Sequence, residues 1–330
     1  MKSIFLSEMG FTGKVPRNHD NMRTEFAWMV GLGAEHDNIG NYKQAEGYDS
    51  VFLILPKLRT SLSADATSLG KVENPSAGLY DPKFIDTLKE KNKKVYIIQE
   101  GPSWLFNDYE VSQQFGYINS LLACDGIFVH NEIDKKFYVG ITYNQVSVHV
   151  IPTLMIEDIL PILPKNGRAI ENKTIIGGNF SRWYGGTQSY LVARLFGNPI
   201  WAQTSHSKRD NEESVPDLQH LPRLSWIDWM KNISTYKYAV HLMPTIAAGT
   251  FSLNCAYYGI PCIGNKDVDT QNICHPELSV DVNDVEGALK LAAKLRDDAD
   301  FYKKCAIGSH FLYNKHYTEE VWKIKMEKML

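Results

Sequence analysis

The stretch AAGTFSLNCAYYGIPCIG, residues 247–264, decides how the chain is read. Ala247-Ala248-Gly249-Thr250 ends in a glycine turn, small and apolar residues follow as a short helical segment, and Gly259-Ile260-Pro261 breaks it before the apolar run Cys262-Ile263. Helix, glycine-proline break and buried strand make one step of an α/β domain. The helix starts on a glycine with almost nothing charged nearby, so its first-turn amides and its dipole are what it offers a ligand. Those suit a diphosphate. A tightly packed core helix accounts for the same residues, and both readings can hold at once.

The rhythm repeats on either side. Short runs rich in β-branched and aromatic residues predict strands at 3–6, 51–55, 95–98, 126–129 and 148–151, then again at 173–177, 199–202, 238–242, 261–264 and 278–280. Helical periodicity at 21–30 and 115–123, and Asp81-Pro82 ahead of Lys83–Lys91, place helices between them. Strands alternating with helices imply parallel sheets. At 330 residues the chain suits two domains. Pro152, Pro161 and Pro164, followed by Lys165-Asn166-Gly167, interrupt the alternation. The expected division is therefore a domain over 1–155, a linker over 156–172, a second domain over 173–315, and a C-terminal helix over 316–330 free to pack back on the first domain. Residues 60–78 read as a long surface loop.

Composition narrows the classes. Hydrophobic residues make up 44% and charged residues 22%, a globular balance, and no run approaches the roughly 18 apolar residues of a membrane span. Met1–Leu6 is too short for a signal peptide, so a cytoplasmic location is expected. Five widely spaced cysteines, with no Cys-x-x-Cys pair, read as free buried thiols. A net charge of −3 gives nucleic acid no global attraction.

Open α/β sheets take ligands at the carboxyl ends of their strands. After the first strand, Ser7-Glu8-Met9-Gly10-Phe11-Thr12-Gly13-Lys14 sets Gly10 and Gly13 before a lysine. This is either a loop that approaches an anion or sugar closely or an ordinary connection. Walker and dinucleotide glycine patterns are absent, which disfavours NTPases and NAD-dependent dehydrogenases. The strand at 95–98 runs into Gln99-Glu100-Gly101-Pro102, mounting Glu100 on a rigid turn as a general base or as a plain surface glutamate. The second half opens with Gly177-Gly178-Asn179-Phe180-Ser181-Arg182, a strand-turn-helix in which amides and the fixed cation of Arg182 can face a phosphate. Lys208 and Arg209 add charge to the same rim or belong to a solvated loop.

In order, IIGGNFSR, RLSWIDWMKNIS, HLMPTIAAGT and FSLNCAYYGIPCIG resemble the donor-binding half of GT-B glycosyltransferases, across residues 173–315. Within that architecture the chain is similar to the compact phage DNA (hydroxymethylcytosine) glycosyltransferases, such as the DNA β-glucosyltransferases. KKVYIIQEGPSW resembles their strand ending in a catalytic aspartate, with Glu100 in the matching place, and GGNFSR their phosphate-binding turn. The resemblance implies an α/β GT-B fold, two Rossmann-like domains facing a central cleft. It also implies an enzyme that moves a sugar from a UDP-sugar to an acceptor hydroxyl.

On that reading Gly178, Arg182, Gly249 and Thr250 hold the diphosphate, Leu224 and Ser225 the nucleobase, with Trp226 as an aromatic wall, and Asn254 a ribose hydroxyl. Gly10 and Gly13 approach the sugar. Many retaining members of the fold carry two glutamates where this chain has Ile246 and Asn254. Their loss favours an inverting course with Glu100 as base and Asp20 as the competing base. The implied acceptor is hydroxymethylcytosine in double-stranded DNA, flipped onto Trp104, Phe106 and Tyr109, with Lys14, Arg17, Arg23, Lys57, Arg59 and Lys71 along the phosphate path. The acidic first half speaks against DNA. A cell-envelope or other glycan acceptor and a non-catalytic nucleotide-sugar-binding protein are the alternatives. No metal and no cofactor beyond the UDP-sugar is expected.

Overall fold

The computed structural model describes residues 1–22, 24–55, 82–99, 101–108, 111–160, 168–178, 180, 183–203 and 212–330. The chain forms two compact units. One comprises Met1–Pro16, Glu25–Pro152 and Lys323–Leu330, the other Arg17–Thr24 and Thr153–Trp322. The excursion Arg17–Thr24, expected within the first domain, belongs to the second unit for identifiable reasons. Arg17 pairs with Asp158 and Glu319 at 2.9 Å each, and the Asp20 carbonyl accepts the Trp226 amide at 2.6 Å.

Among the described residues the first unit holds β1 (Ser3–Ser7), β2 (Gly13–Lys14), β3 (Glu35–Asn38), β4 (Ser50–Ile54), β5 (Val95–Ile98), β6 (Gly126–Val129) and β7 (Val148–Val150). They lie in the order β2-β3-β1-β4-β5-β6-β7, with β2 alone antiparallel to its neighbour. Successive side chains of a strand point to opposite faces, and here the two faces differ in kind. Ile4, Leu6, Val51, Leu53, Val95, Ile97, Ile127 and Val129 make an aliphatic core. The alternate residues stack as aromatics across adjacent strands: Phe5 on Phe52 at 4.8 Å, Phe52 on Tyr96 at 5.4 Å, and Tyr96 edge-on to Phe128 at 5.3 Å. Gly126, opposite Tyr96, leaves room for that ring.

The second unit holds β8 (Glu171–Ile176), β9 (Ile200–Ala202), β10 (Leu218–His220), β11 (Tyr236–His241), β12 (Cys262–Asn265) and β13 (Ser279–Val280). All pair in parallel in the order β10-β9-β8-β11-β12-β13. Chain order reverses beside β8, the arrangement of a dinucleotide-binding sheet. Helices 186–193 and 285–297 pack together, while 250–257 packs on 299–316 and 269–274.

Every expected strand is present. Among the described residues, β2, β3 and β10 were missed. The sequence of β3, EHDN, has one buried side chain, His36, so it lacks the apolar run of a central strand although it pairs with β1 over four residues.

Phe52 is fully buried at the middle of the aromatic row. Phe52→Ala is expected to lower unfolding free energy by about 3–5 kcal/mol, read from the urea midpoint.

Candidate functional site

The second unit places a pocket of about 220 Å³ at its topological switch point, where β8 and β11 lie side by side. Gly177 and Gly178 enter from the end of β8, Gln203 from the end of β9, and His241 and Met243 from the end of β11. Ala247–Thr250, Phe251 and Asn254 come from the turn and helix that follow, and Thr24, Tyr184 and Trp229 complete the wall. No described lining residue is charged.

Close approaches at three glycines build this pocket. A Cβ on Gly177 would collide with the His241 ring, and one on Gly178 with Tyr184, 2.5 Å from its Cβ. Gly249 caps the helix Thr250–Tyr257 at φ 72°, a left-handed conformation, and a Cβ there would strike Thr270 Oγ1 and lie 2.7 Å from Val268 Cγ1. It gives the helix no side-chain cap, unlike Asn131, Ser225, Asp284 and Asp298 at other helix starts. The turn is pinned throughout. Ser189 accepts the Leu242 amide at 2.9 Å, Asn265 donates to the Met243 carbonyl at 3.1 Å, Thr153 to that of Ala248, and Thr270 to that of Gly249 at 2.8 Å.

Expected and observed roles diverge in places. Gly178, Gly249, Thr250 and Asn254 meet in the pocket, but the Asn254 amide is engaged within the fold: hydrogen-bond geometry orients it to donate to Thr250 O at 3.0 Å and accept from Trp229 Nε1 at 2.8 Å. Leu224 and Ser225 are not among the lining residues, and Ser225 caps its helix through Asp228. Trp226 is not the aromatic wall. Trp226 and Trp229 are equally buried, but only Trp229, one turn further along the helix, lines the pocket. Asp20 is exposed. Four residues on, Thr24 lines the pocket at φ 49°, a conformation seldom taken by a β-branched residue. Trp229 and His241 fall inside RLSWIDWMKNIS and HLMPTIAAGT but carried no assigned role, and Thr24, Tyr184 and Gln203 were likewise given none.

In the first unit the glycine loop after β1 is tied by a histidine. His36 stacks on Phe11 at 4.1 Å and bonds its carbonyl through Nδ1 at 2.8 Å, while Ser7 Oγ meets Nε2 at 2.8 Å. Nδ1 must therefore donate, which leaves Nε2 to accept from Ser7. Burial holds His36 below the ordinary histidine range although the Phe11 carbonyl pulls the other way. Gly13 takes φ 103° in β2, Gly10 stands clear of neighbours, and Lys14 is exposed.

At the end of β5, buried Gln99 donates to Gly101 O at 2.6 Å and to Asp134 at 2.9 Å, and Gly101 takes φ 77°. This braces both sides of position 100. Trp104 sits half-buried in the turn Ser103–Asp108. Arg17 is not a free cation for a phosphate path: its guanidinium is matched by Asp158 and Glu319, whose hydrogen bonds raise its pKa. Glu100, Arg182, Arg23, Lys57, Arg59, Lys71, Tyr109, Lys208, Arg209 and the Phe106 side chain lie outside the described residues.

All five cysteines are buried and none is in a disulfide. The expectation that the chain carries no Asp-x-Asp motif is wrong: Asp267-Val268-Asp269 and Asp298-Ala299-Asp300 both have that spacing, and Asp298 caps the helix Ala299–His316. Among the described residues no group of three His, Cys, Asp or Glu side chains could hold a metal, and no helix is long and apolar enough to cross a membrane.

Gly249→Ala combines left-handed strain with a clash against Thr270, and it should cost at least about 2 kcal/mol; equal urea midpoints for this variant and wild type would contradict the geometry described.

No family model and no curated protein matches the chain. Solved structures do, over its whole length. An α-glucosyltransferase in complex with UDP and a 13-mer DNA containing an HMU base is 13% identical, with all of this chain and 99% of that one covered and a TM-score of 0.65. Anabaena Alr3699/HepE, in complex with UDP and glucose, is 8% identical over 100% and 99% of the two chains, with a TM-score of 0.66. The trehalose-6-phosphate synthase OtsA is 11% identical over 100% and 98%, with a TM-score of 0.65. The two Rossmann-like sheets, with such neighbours spanning the whole chain, give this protein the GT-B fold.

Proposed function

We propose that this chain is a glycosyltransferase that moves a sugar from a UDP-sugar to an acceptor hydroxyl. The observation that carries the reading is the switch-point pocket of the second unit, with the Gly249 turn and the start of the helix Thr250–Tyr257 in its wall. Full-length likeness to structures holding UDP supports it. Amides at Gly249 and Thr250, with the Arg182 guanidinium, would hold the diphosphate and take up the charge it gains on leaving. Glu100 is proposed to remove the proton from the acceptor hydroxyl as its oxygen bonds the anomeric carbon and the bond from that carbon to the diphosphate breaks. Asp20 is the competing base. Support for Glu100 is its place directly after β5, between Gln99 and Gly101, which are hydrogen-bonded to each other.

The proposed acceptor is a hydroxymethylated pyrimidine in DNA, by likeness to the α-glucosyltransferase bound to HMU-containing DNA. The acidic balance of the first half favours a glycan as the alternative. An inverting course is supported by Ile246 and Asn254, which stand where retaining relatives carry glutamates. Retention is the second reading, favoured by that neighbour's α-linked product, since UDP-glucose itself carries an α-linked sugar. The anomeric configuration of the product, read by NMR, decides between them.

Incubation with UDP-sugars, with and without hydroxymethylcytosine or hydroxymethyluracil DNA, tests the reading through UDP release and nucleoside mass. DNA-stimulated release with a matching mass gain is expected, and release indifferent to DNA would move the acceptor to glycans. Binding of UDP-sugars without release under any condition would leave a non-catalytic sensor. Glu100→Gln should cut turnover at least about 100-fold with donor KM little changed, whereas Arg182→Ala should raise donor KM about tenfold or more. Unchanged kinetics in either variant would remove that residue from the mechanism.

A further inference from the structure

The strand β11 ends in His241, whose ring lines the switch-point pocket together with Gly177, Gly178, Trp229 and Phe251. Its Nε2 is shut off from bulk solvent and has no hydrogen-bond partner among the described residues. The ring stands edge-on to Phe251 at 4.9 Å, and Gly177 leaves out the side chain that would otherwise collide with it. The preceding residues Ala239 and Val240 are fully buried, so an apolar residue here would simply extend the core. A lone buried nitrogen instead costs about 1–3 kcal/mol. Asn254, in the same wall, has its amide occupied by Trp229 and Thr250, which leaves it little to offer a ligand. Burial also depresses the His241 pKa to about 4, so the ring is neutral near pH 7 and recognises an oxygen without pairing a charge.

We propose that His241, in the wall of the switch-point pocket, is a donor-contacting residue: its Nε2, without a partner among the described residues, hydrogen-bonds an oxygen of the nucleotide-sugar. The inference rests on the glycosyltransferase reading and assigns this chain's own side chain to the donor. Replacing histidine by phenylalanine removes the hydrogen bond while keeping a ring of similar shape. A residue with a merely structural role would change stability and not affinity.

Calorimetric titration of wild type and His241→Phe with UDP and with UDP-glucose tests this, alongside the melting temperature of each protein without ligand. The variant should melt at or above the wild-type temperature and bind at least about tenfold more weakly, and His241→Gln should recover part of the loss. A loss confined to UDP-glucose assigns the contact to the sugar, and an equal loss with both ligands assigns it to the nucleotide. If the phenylalanine variant does not fold, His241→Leu takes its place in the same comparison. Wild-type affinity for both ligands in the variant would overturn the inference and leave the glycosyltransferase reading standing. A wild-type protein that binds neither ligand would overturn that reading, and the inference with it.

Discussion

The site of the second unit depends on one turn, the left-handed backbone at Gly249. Its carbonyl accepts from Thr270 and from Ser252, whose hydroxyls lie 2.7 Å apart, and the Ser252 carbonyl in turn meets His275 at 3.0 Å. Because Thr270 and Val268 occupy the space where a side chain would sit, the turn can be packed this tightly only around glycine. The result is a helix that begins at the pocket with its direction fixed from behind. A ligand arriving there meets amides that need no reorganisation, the condition under which fixed dipoles stabilise charge best.

The same unit keeps formal charge out of the described pocket wall and places neutral imidazoles close by. His241 and His275 are both driven to about 4 by burial, His275 against the opposing pull of its Ser252 bond. His36 performs the corresponding task in the first unit, where it holds the loop after β1. In each case desolvation lowers the pKa, and for His36 and His275 the neutral ring acts as a fixed hydrogen-bonding group. Salt bridges serve elsewhere. Arg17 joins Asp158 and Glu319, three residues far apart in sequence, in a cluster that draws the excursion 17–24 into the second unit.

Much of the fold was legible because buried parallel strands are continuous apolar runs, as in VYII at 95–98 and SVFLI at 50–54. The strand β3 was illegible for the opposite reason, since EHDN packs one side chain and pairs by its backbone. At the site, glycines marked the turns well: Gly178 and Gly249 both line the pocket. Side chains were harder. Trp226 and Trp229 lie on one helix, and only its packing shows that the second faces the pocket. Arg17 could not be told from a free cation because its partners lie 141 and 302 residues away. Asn254 lines the pocket, and its occupation by Trp229 is a matter of three-dimensional contact alone.

Whether the switch-point pocket of the second unit holds the nucleotide is tested by a crystal structure of the protein soaked with UDP. Difference density for the diphosphate is expected between Gly177-Gly178 and the Gly249–Thr250 amides, beside His241 and Trp229. Nucleotide density bound elsewhere, with this pocket unchanged, would contradict that expectation.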